Sequence, residues 1–576
     1  MTVPSISITL TGSGGSGVMT AGNLLLEAAG RAGWFGMMTR SAGPQIRGGE
    51  AAAMLRLSSI PVLVHKERYD ILLGIDWKNA DRFASEIPLG SDSLVIGHGE
   101  PPAVFADAAG QQFQLDLPAI AKTVPGGRAN MVALGVAAAL VGLPVTAVSQ
   151  VIDKALGRKG EDAVSAGMAA VRAGMEAAKN LPRFDCLPVD SGAEADQRET
   201  RWNISGNEAC GLGAVRGGIR FVAAYPITPA TEVLEWLAPA LPKLGGALVQ
   251  AEDELASVTQ IIGASFGGTP SLTATSGPGL ALMMESIGLA VASETPIVVV
   301  DVMRGGPSTG IPTKSEQSDL NIALYGLHGD APHLVLGPLT IADCVFTTQW
   351  SVVLAEKLQT AAIVLSDQAL GQTRSVIPRQ LDSGLVAQRE VAKAPGADYQ
   401  RYAITESGVS PMSLPGQSGG QYCADGLAHT VTGLPSSKAE DHHLQMDKRL
   451  HKLAQYDFGD HWAEIEGDAR AETVVLTWGS SYGAASEAVA GLRAEGKKVR
   501  LIAVRLLSPV QPQRLAEALK GAARVLVVEQ SHSGQFYRYL RAQYDIDIPM
   551  RSMAVPGPLA IRPSDVSNLL NDWSGS

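Results

Sequence analysis

The sequence predicts a multidomain α/β protein, and three observations carry that expectation. Short apolar runs of strand length alternate with longer helical patterns, the spacing of βα repeats around a mostly parallel sheet. Glycine is abundant at 63 residues while aromatics make up only 5%, and small residues let helices pack closely on a sheet. With 576 residues the chain has room for about three to five domains.

The first unit is expected over 1–190. Ser5–Leu10 reads as a strand, T-G-S-G-G-S-G-V-M-T as a glycine turn, and Ala21–Ala32 as a helix, the opening of a doubly wound sheet. Tyr69–Gly74 and Ser93–Ile96 read as further strands, and Asn130–Ala139 and Ala163–Ala177 as helices. A polar linker is expected over 191–204. The second unit, 205–384, has strands at Phe221–Ala224, Ser271–Ala274, Pro296–Val302, His333–Leu336 and Ala362–Leu365. Helices at Glu254–Ser265 and Leu280–Ala292 lie between them. Residues 385–470 have little periodicity and read as an irregular connection with a helix near Gln445–Gln455. The last unit, 471–576, repeats the βα pattern, with strands from Thr473, at Val499–Val504 and at Val525–Gln530.

Composition narrows the function classes. A net charge of −11 argues against a general nucleic-acid or membrane surface. The start of the chain has no basic segment followed by a signal-peptide core, and no stretch reads as membrane-spanning, so a soluble, cytoplasmic protein is expected. Cys186, Cys210, Cys344 and Cys423 form no C-x-x-C and read as isolated core thiols in a reducing cytoplasm. His442, His443, His451 and His461 follow no ligand spacing and read as surface or interface residues, so no metal site is assigned to this chain.

Two glycine loops near the start are ambiguous. Thr11–Val18 could cradle a phosphate, but it lacks the P-loop lysine and a clear acidic ribose ligand. A tight structural or interface turn is the competing reading. Arg40–Glu50 offers two arginines among glycines, suited to an anion or a partner chain.

The middle of the chain carries more chemistry. Y-P-I-T-P, Tyr225, Pro226, Ile227, Thr228 and Pro229, follows a strand, and its prolines stiffen the loop around the Thr228 hydroxyl. V-Q-A-E-D-E-L-A places Glu252, Asp253 and Glu254 at a strand-to-helix junction. Carboxylates there either cap the helix or, if buried, share a proton with a heterocycle nitrogen. T-A-T-S-G-P-G presents Ser276 and Gly277 at a helix start, where N–H groups can meet an anion. D-V-M-R-G-G-P-S-T-G-I-P-T adds Arg304, Ser308, Thr309 and Thr313. One arginine among glycines suits a carboxylate, whose two oxygens match its planar fork. Strand-end loops converging on a small carboxylate is the reading these residues support.

With these motifs the chain closely resembles the alpha subunit of the 2-oxoacid:ferredoxin oxidoreductases, in the form with a gamma domain fused at its N-terminus. The 2-oxoglutarate type is the nearest match. The resemblance spans essentially the whole chain. It runs from the glycine loop and Gln45, Arg47, Gly48 and Gly49, through S-G-N-E-A, Y-P-I-T-P-A-T-E, T-A-T-S-G-P-G, R-G-G-P-S-T-G-I-P-T-K-S-E-Q-S-D-L, L-H-G-D-A-P and L-S-D-Q, to V-E-Q-S-H-S-G-Q. It implies a gamma-type domain, a pyrimidine-type thiamine-diphosphate domain and a transketolase C-terminal-like domain. The implied reaction is CoA-dependent oxidative decarboxylation of a 2-oxoacid, giving an acyl-CoA, CO2 and reduced ferredoxin. A beta subunit is implied to hold the diphosphate, Mg2+ and a [4Fe-4S] cluster, with thiamine diphosphate at the interface and a dimer of alpha–beta heterodimers as the assembly.

Carried over residue by residue, the resemblance makes Glu252 the glutamate that engages the aminopyrimidine, with Glu254 as the alternative. Thr228 and Arg304 become the pair that binds the substrate carboxylate. Tyr225, Pro226, Ile227, Ser276 and Gly277 border the cofactor, and Ser308, Thr309 and Thr313 border the substrate. Pyruvate, a branched-chain or an aryl 2-oxoacid stays open as substrate. A non-catalytic thiamine-fold subunit stays open as a different class.

Overall fold

The structure, a computed structural model, describes residues 5–43, 49–108, 110–184, 187 and 201–574. The chain divides into two compact units: one formed by 1–205, 372–379 and 562–575, the other by 206–371 and 380–561. The multidomain α/β expectation holds.

The first unit is built on an eight-stranded sheet. Its order is Gln111–Gln114, Leu94–Gly97, Ile71–Gly74, Ser5–Ser13, Glu50–Ser58, Phe35–Ala42, Arg374–Pro378 and Arg201–Ser205. The expected opening strand, turn and helix are present as Ser5–Ser13 and Val18–Arg31. The sheet is mixed, however, because Glu50–Ser58 and Phe35–Ala42 run as an antiparallel pair beside the first strand. Arg40 and Glu50, expected in one loop, therefore sit on neighbouring strands, and buried Glu50 pairs with Arg82 at 2.7 Å. Gln45, Arg47, Gly48 and Cys186 lie outside the described residues, as do 191–200 of the expected linker. The linker's last residues, 201–204, are strand rather than coil. The core here is the long apolar face of Val18–Arg31 and of Ala129–Val141 against the sheet.

The second unit holds two sheets. A seven-stranded sheet runs Leu506–Ser508, Leu334–Leu336, Ala361–Asp367, Ile297–Met303, Ser271–Thr275, Phe221–Ala224 and Ala247–Gln250. All its pairings are parallel except that of the edge strand Leu506–Ser508. Strands buried on both faces read as continuous apolar runs, as I-V-V-V-D-V-M does here. A five-stranded sheet, Ala463–Glu466, Val499–Val504, Thr473–Trp478, Arg524–Glu529 and Met550–Ala554, carries the C-terminal α/β pattern.

Between Pro378 and Ala439 only isolated bridges occur, and the expected helix runs over Ala439–Ala454. This irregular stretch is anchored by buried charge. Arg389 forks onto Glu356 with both contacts at 2.8 Å, and Arg401, fully buried, donates to the Glu294 carbonyl at 2.8 Å. No described helix is long and apolar enough to cross a membrane.

Candidate functional site

In an open parallel sheet, ligands bind beyond the carboxyl ends of the strands. Four adjacent strands of the seven-stranded sheet deliver the sequence-predicted residues to that edge: Phe221–Ala224, Ala247–Gln250, Ser271–Thr275 and Ile297–Met303.

The Y-P-I-T-P loop leaves the first of these. Fully buried Asn207 holds it, donating from Nδ2 to the Pro229 carbonyl at 2.9 Å and to Glu232 at 3.4 Å. Tyr225 and Thr228 are exposed, and Pro226 and Ile227 are half-buried. Arg304 is 7% exposed, and its Nη1 donates to the Thr228 carbonyl at 2.5 Å. Thr228 and Arg304 are thus brought together, through the threonine backbone. The Arg304 Nε has no hydrogen-bond partner. Beyond Arg304 the chain closes a short loop, with Gly305 N–H donating to the Lys314 carbonyl at 3.0 Å and Ile311 N–H to the Gly305 carbonyl at 2.7 Å. Ser308 and Thr309 are exposed at its tip and Thr313 is half-buried.

The three acids after Gln250 separate into three roles. Asp253 caps the helix Glu254–Phe266, accepting from Ala256 N–H at 2.7 Å. Glu252 is exposed to solvent. Glu254 is 8% exposed and lies against the next strand-end turn. A β-carbon on Gly279 would stand 2.0 Å from Thr275 Oγ1 and 2.9 Å from Glu254 Oε1, so glycine is required for that approach. Ser276, just before, is fully buried, and its Oγ has no partner.

Below this edge lies a feature to which the sequence reading assigned no role. Asp301 interrupts the apolar strand Ile297–Met303 and is fully buried, and apart from the Asp319 carboxyl its oxygens have no hydrogen-bond partner. Its carboxyl lies within hydrogen-bonding reach of that of Asp319, which stands at the start of the helix Leu320–Tyr325. A β-carbon on Gly277 would fall 2.6 Å from Asp319 Oδ2, which seats the pair directly under the Ser276–Gly277 turn. Burial, then the neighbouring Asp319, pushes the Asp301 carboxyl well above the usual range. Burial raises Asp319 to about 6, and burial lowers the Arg304 guanidinium below its usual value. A lone acid inside an otherwise apolar strand was the available sequence signal.

The segment after the Arg304 loop is fastened elsewhere. Gln317, fully buried, accepts at Oε1 from Gln530 N–H at 2.8 Å and Ser481 Oγ at 2.6 Å, and donates to the Trp478 carbonyl at 2.9 Å. Glu529, of V-E-Q-S-H-S-G-Q, caps the helix Gln535–Gln543 through Phe536 N–H at 2.8 Å and Tyr537 N–H at 2.9 Å.

The glycine loop of the first unit has its own anion. Asp76 accepts from Ser13 N–H at 2.9 Å and Ser13 Oγ at 2.7 Å. A carboxylate already engages the loop where a phosphate reading would place its ligand.

A pyrimidine ring fits the residues present at the strand ends, which offer a buried carboxyl on Glu254, an unpartnered Ser276 hydroxyl and the exposed ring of Tyr225. A metal cage does not: among the described residues no three or more His, Cys, Asp or Glu side chains gather to hold an ion. Cys210 and Cys344 are buried and lie within hydrogen-bonding reach of each other, and Cys423 is exposed, so the expectation of isolated core thiols fails for all three. Tyr225, Val249, Leu255 and Ile311, all on these same segments, are exposed large apolar side chains.

Comparison with known proteins extends the geometry. Residues 212–448 match the family described as "Pyruvate flavodoxin/ferredoxin oxidoreductase, thiamine diP-bdg". Residues 7–177 match "Pyruvate ferredoxin/flavodoxin oxidoreductase", and 471–564 match "Pyruvate:ferredoxin oxidoreductase core domain II". The chain is 35% identical over 346 residues to the 2-oxoglutarate synthase subunit KorA of Methanothermobacter marburgensis, covering 59% of this chain and 90% of that one. It is 34% identical over 429 residues to the 2-oxoglutarate oxidoreductase subunit KorA of Mycobacterium tuberculosis, covering 73% of this chain and 64% of that one. A solved structure, the 2-oxoglutarate:ferredoxin oxidoreductase of Magnetococcus marinus with 2-oxoglutarate, coenzyme A and succinyl-CoA bound, superposes with a TM-score of 0.90 at 35% identity, covering 99% of both chains.

Proposed function

The chain belongs to the 2-oxoacid:ferredoxin oxidoreductase family, as an alpha subunit joined to a gamma-type domain, and from that premise we propose that its substrate is 2-oxoglutarate. The reaction is CoA-dependent oxidative decarboxylation to succinyl-CoA and CO2, with the electrons passed to ferredoxin. The observation that carries this reading is the Arg304–Thr228 contact at the carboxyl edge of the sheet, in a chain whose full-length structural relative binds 2-oxoglutarate, coenzyme A and succinyl-CoA.

Thiamine diphosphate, when bound, supplies a nucleophilic carbon and an electron sink for the departing CO2. This chain's residues do the positioning. Arg304, held by the Thr228 carbonyl through Nη1, keeps Nε free for the carboxylate next to the 2-oxo carbon. Thr228, Ser308, Thr309 and Thr313 supply hydroxyls around it. Tyr225, Pro226, Ile227, Ser276 and Gly277 form the wall facing the cofactor. For the carboxyl that exchanges a proton with the aminopyrimidine, burial favours Glu254 over Glu252: a proton shared with a ring nitrogen is held more strongly where water is excluded.

The chain works with a beta subunit. Diphosphate, Mg2+ and a [4Fe-4S] cluster are assigned to that partner. The exposed Tyr225, Val249, Leu255 and Ile311 would be covered by it. A dimer of such heterodimers, located in the cytoplasm, completes the proposal. A second reading keeps the same chemistry on pyruvate, since the matching families are described by pyruvate enzymes. The two readings separate in an assay of the co-purified complex, with viologen as electron acceptor, coenzyme A, and a panel of 2-oxoacids. The proposal expects the highest kcat/KM with 2-oxoglutarate and succinyl-CoA as product; a preference for pyruvate would replace it with the second reading.

A further inference from the structure

We propose that Asp301 and Asp319 are positioning residues for Arg304, a carboxyl pair that shares a proton and takes up another as the substrate carboxylate arrives. The inference rests on the 2-oxoacid reading of the site and goes beyond it in naming what governs its charge.

Apart from the contact between the two acids, four buried polar groups at one strand end lack the partners that burial normally demands: both oxygens of Asp301, Oδ2 of Asp319, Nε of Arg304 and Oγ of Ser276. Arg389 and Glu356 in the same unit are matched by contrast, each nitrogen of the fork meeting a carboxylate oxygen. Two carboxyls within hydrogen-bonding reach of each other cannot both be ionised, so a proton lies between them. Arg304 is the cation facing both acids, and Glu316 is a further acid facing Asp319. Asp301 is held by its strand, and Asp319 stands at the start of the helix Leu320–Tyr325, in the space a β-carbon on Gly277 would need.

With the pair holding a single proton, its net negative charge balances Arg304. An arriving carboxylate competes with the pair for the same guanidinium. Adding a proton to the pair removes that competition, so substrate binding and proton uptake favour each other. The sign is fixed: substrate binds best where the pair is fully protonated, and KM rises as pH climbs through the value near 6 raised on Asp319. Because Arg304 is untouched, kcat at saturation is expected to move far less than KM.

Two measurements on the assembled complex decide this. Infrared difference spectra across a pH titration should show the C=O stretch of a protonated carboxylic acid persisting above the usual carboxylate range, and losing intensity in Asp319→Asn and in Asp301→Asn. Steady-state kinetics should show the 2-oxoacid KM of the unsubstituted complex rising roughly tenfold between about pH 6 and about pH 8, and flat in Asp319→Asn. The infrared arm needs no turnover, so it stands even if no 2-oxoacid is a substrate, which would instead remove the 2-oxoacid reading. A spectrum without the acid band overturns the shared proton. A KM profile unchanged by Asp319→Asn overturns the coupling, and a variant that loses only thermal stability shows the pair to be structural.

Discussion

Two buried charged clusters sit at opposite ends of one strand, Ile297–Met303, and they are built on opposite rules. At its start, Glu294 is fully buried and accepts from Lys448 at 2.6 Å and Lys452 at 3.1 Å, while Lys452 also donates to the Gln359 carbonyl at 2.8 Å. At its end, Asp301, Asp319, Arg304 and Ser276 leave oxygens and a nitrogen unmatched. The first cluster ties the helix Ala439–Ala454 to the sheet, with each Glu294 oxygen accepting from a lysine. The second keeps binding capacity in reserve. A buried charge that is fully paired marks structure, and one held short of partners marks a place for a ligand.

Substitutions at each end should break different properties. The largest effect is expected from Glu294→Gln, which strands two buried lysines. Chemical denaturation should show a loss of about 3–5 kcal/mol, with kcat/KM per folded molecule unchanged. The same carboxylate predicts a pH dependence. The lysines and Arg401 hold Glu294 below the ordinary glutamate range despite its burial. Its contribution is therefore complete above the unfolded value and is lost as pH falls through the folded one. The Tm gap between the unsubstituted protein and Glu294→Gln should narrow in strong acid; a gap that widens there would reverse this account.

At the other end, Arg304→Ala should lower kcat/KM for the 2-oxoacid by roughly 100- to 1,000-fold while the chain stays folded. Glu254→Gln is expected to cost about 100-fold in kcat. Glu252→Gln should stay within about threefold, as for an exposed side chain. If Glu252→Gln proves the more damaging, the assignment between the two glutamates reverses.

Much of this was legible in the residues themselves. The strands ending at Ala224 and Met303 announce themselves as apolar runs, and each is followed within a few residues by Pro or Gly that mark a turn. Thr228, Arg304 and Ser276 were readable because each stands within a few residues of a strand end, whereas Asp301 lies inside its strand and Asp319 far beyond it. What stayed hidden depends on distance in sequence. Glu294 finds Lys448 and Lys452 more than 150 residues away, across a stretch with almost no periodicity. Arg374–Pro378 pairs with Phe35–Ala42, which no local pattern could reveal. The glycine-rich stretch Arg40–Glu50 masked two antiparallel strands, because glycine signals dominate short windows. Which of Glu252 and Glu254 is buried also needed the fold, since it turns on the helix start capped by Asp253.

The most direct test is the kcat/KM for 2-oxoglutarate of the complex carrying Arg304→Ala, measured by CoA-dependent viologen reduction beside that of Glu294→Gln. The account predicts that Arg304→Ala is folded and nearly inactive while Glu294→Gln is active and unstable. An Arg304→Ala complex with kcat/KM unchanged would contradict it.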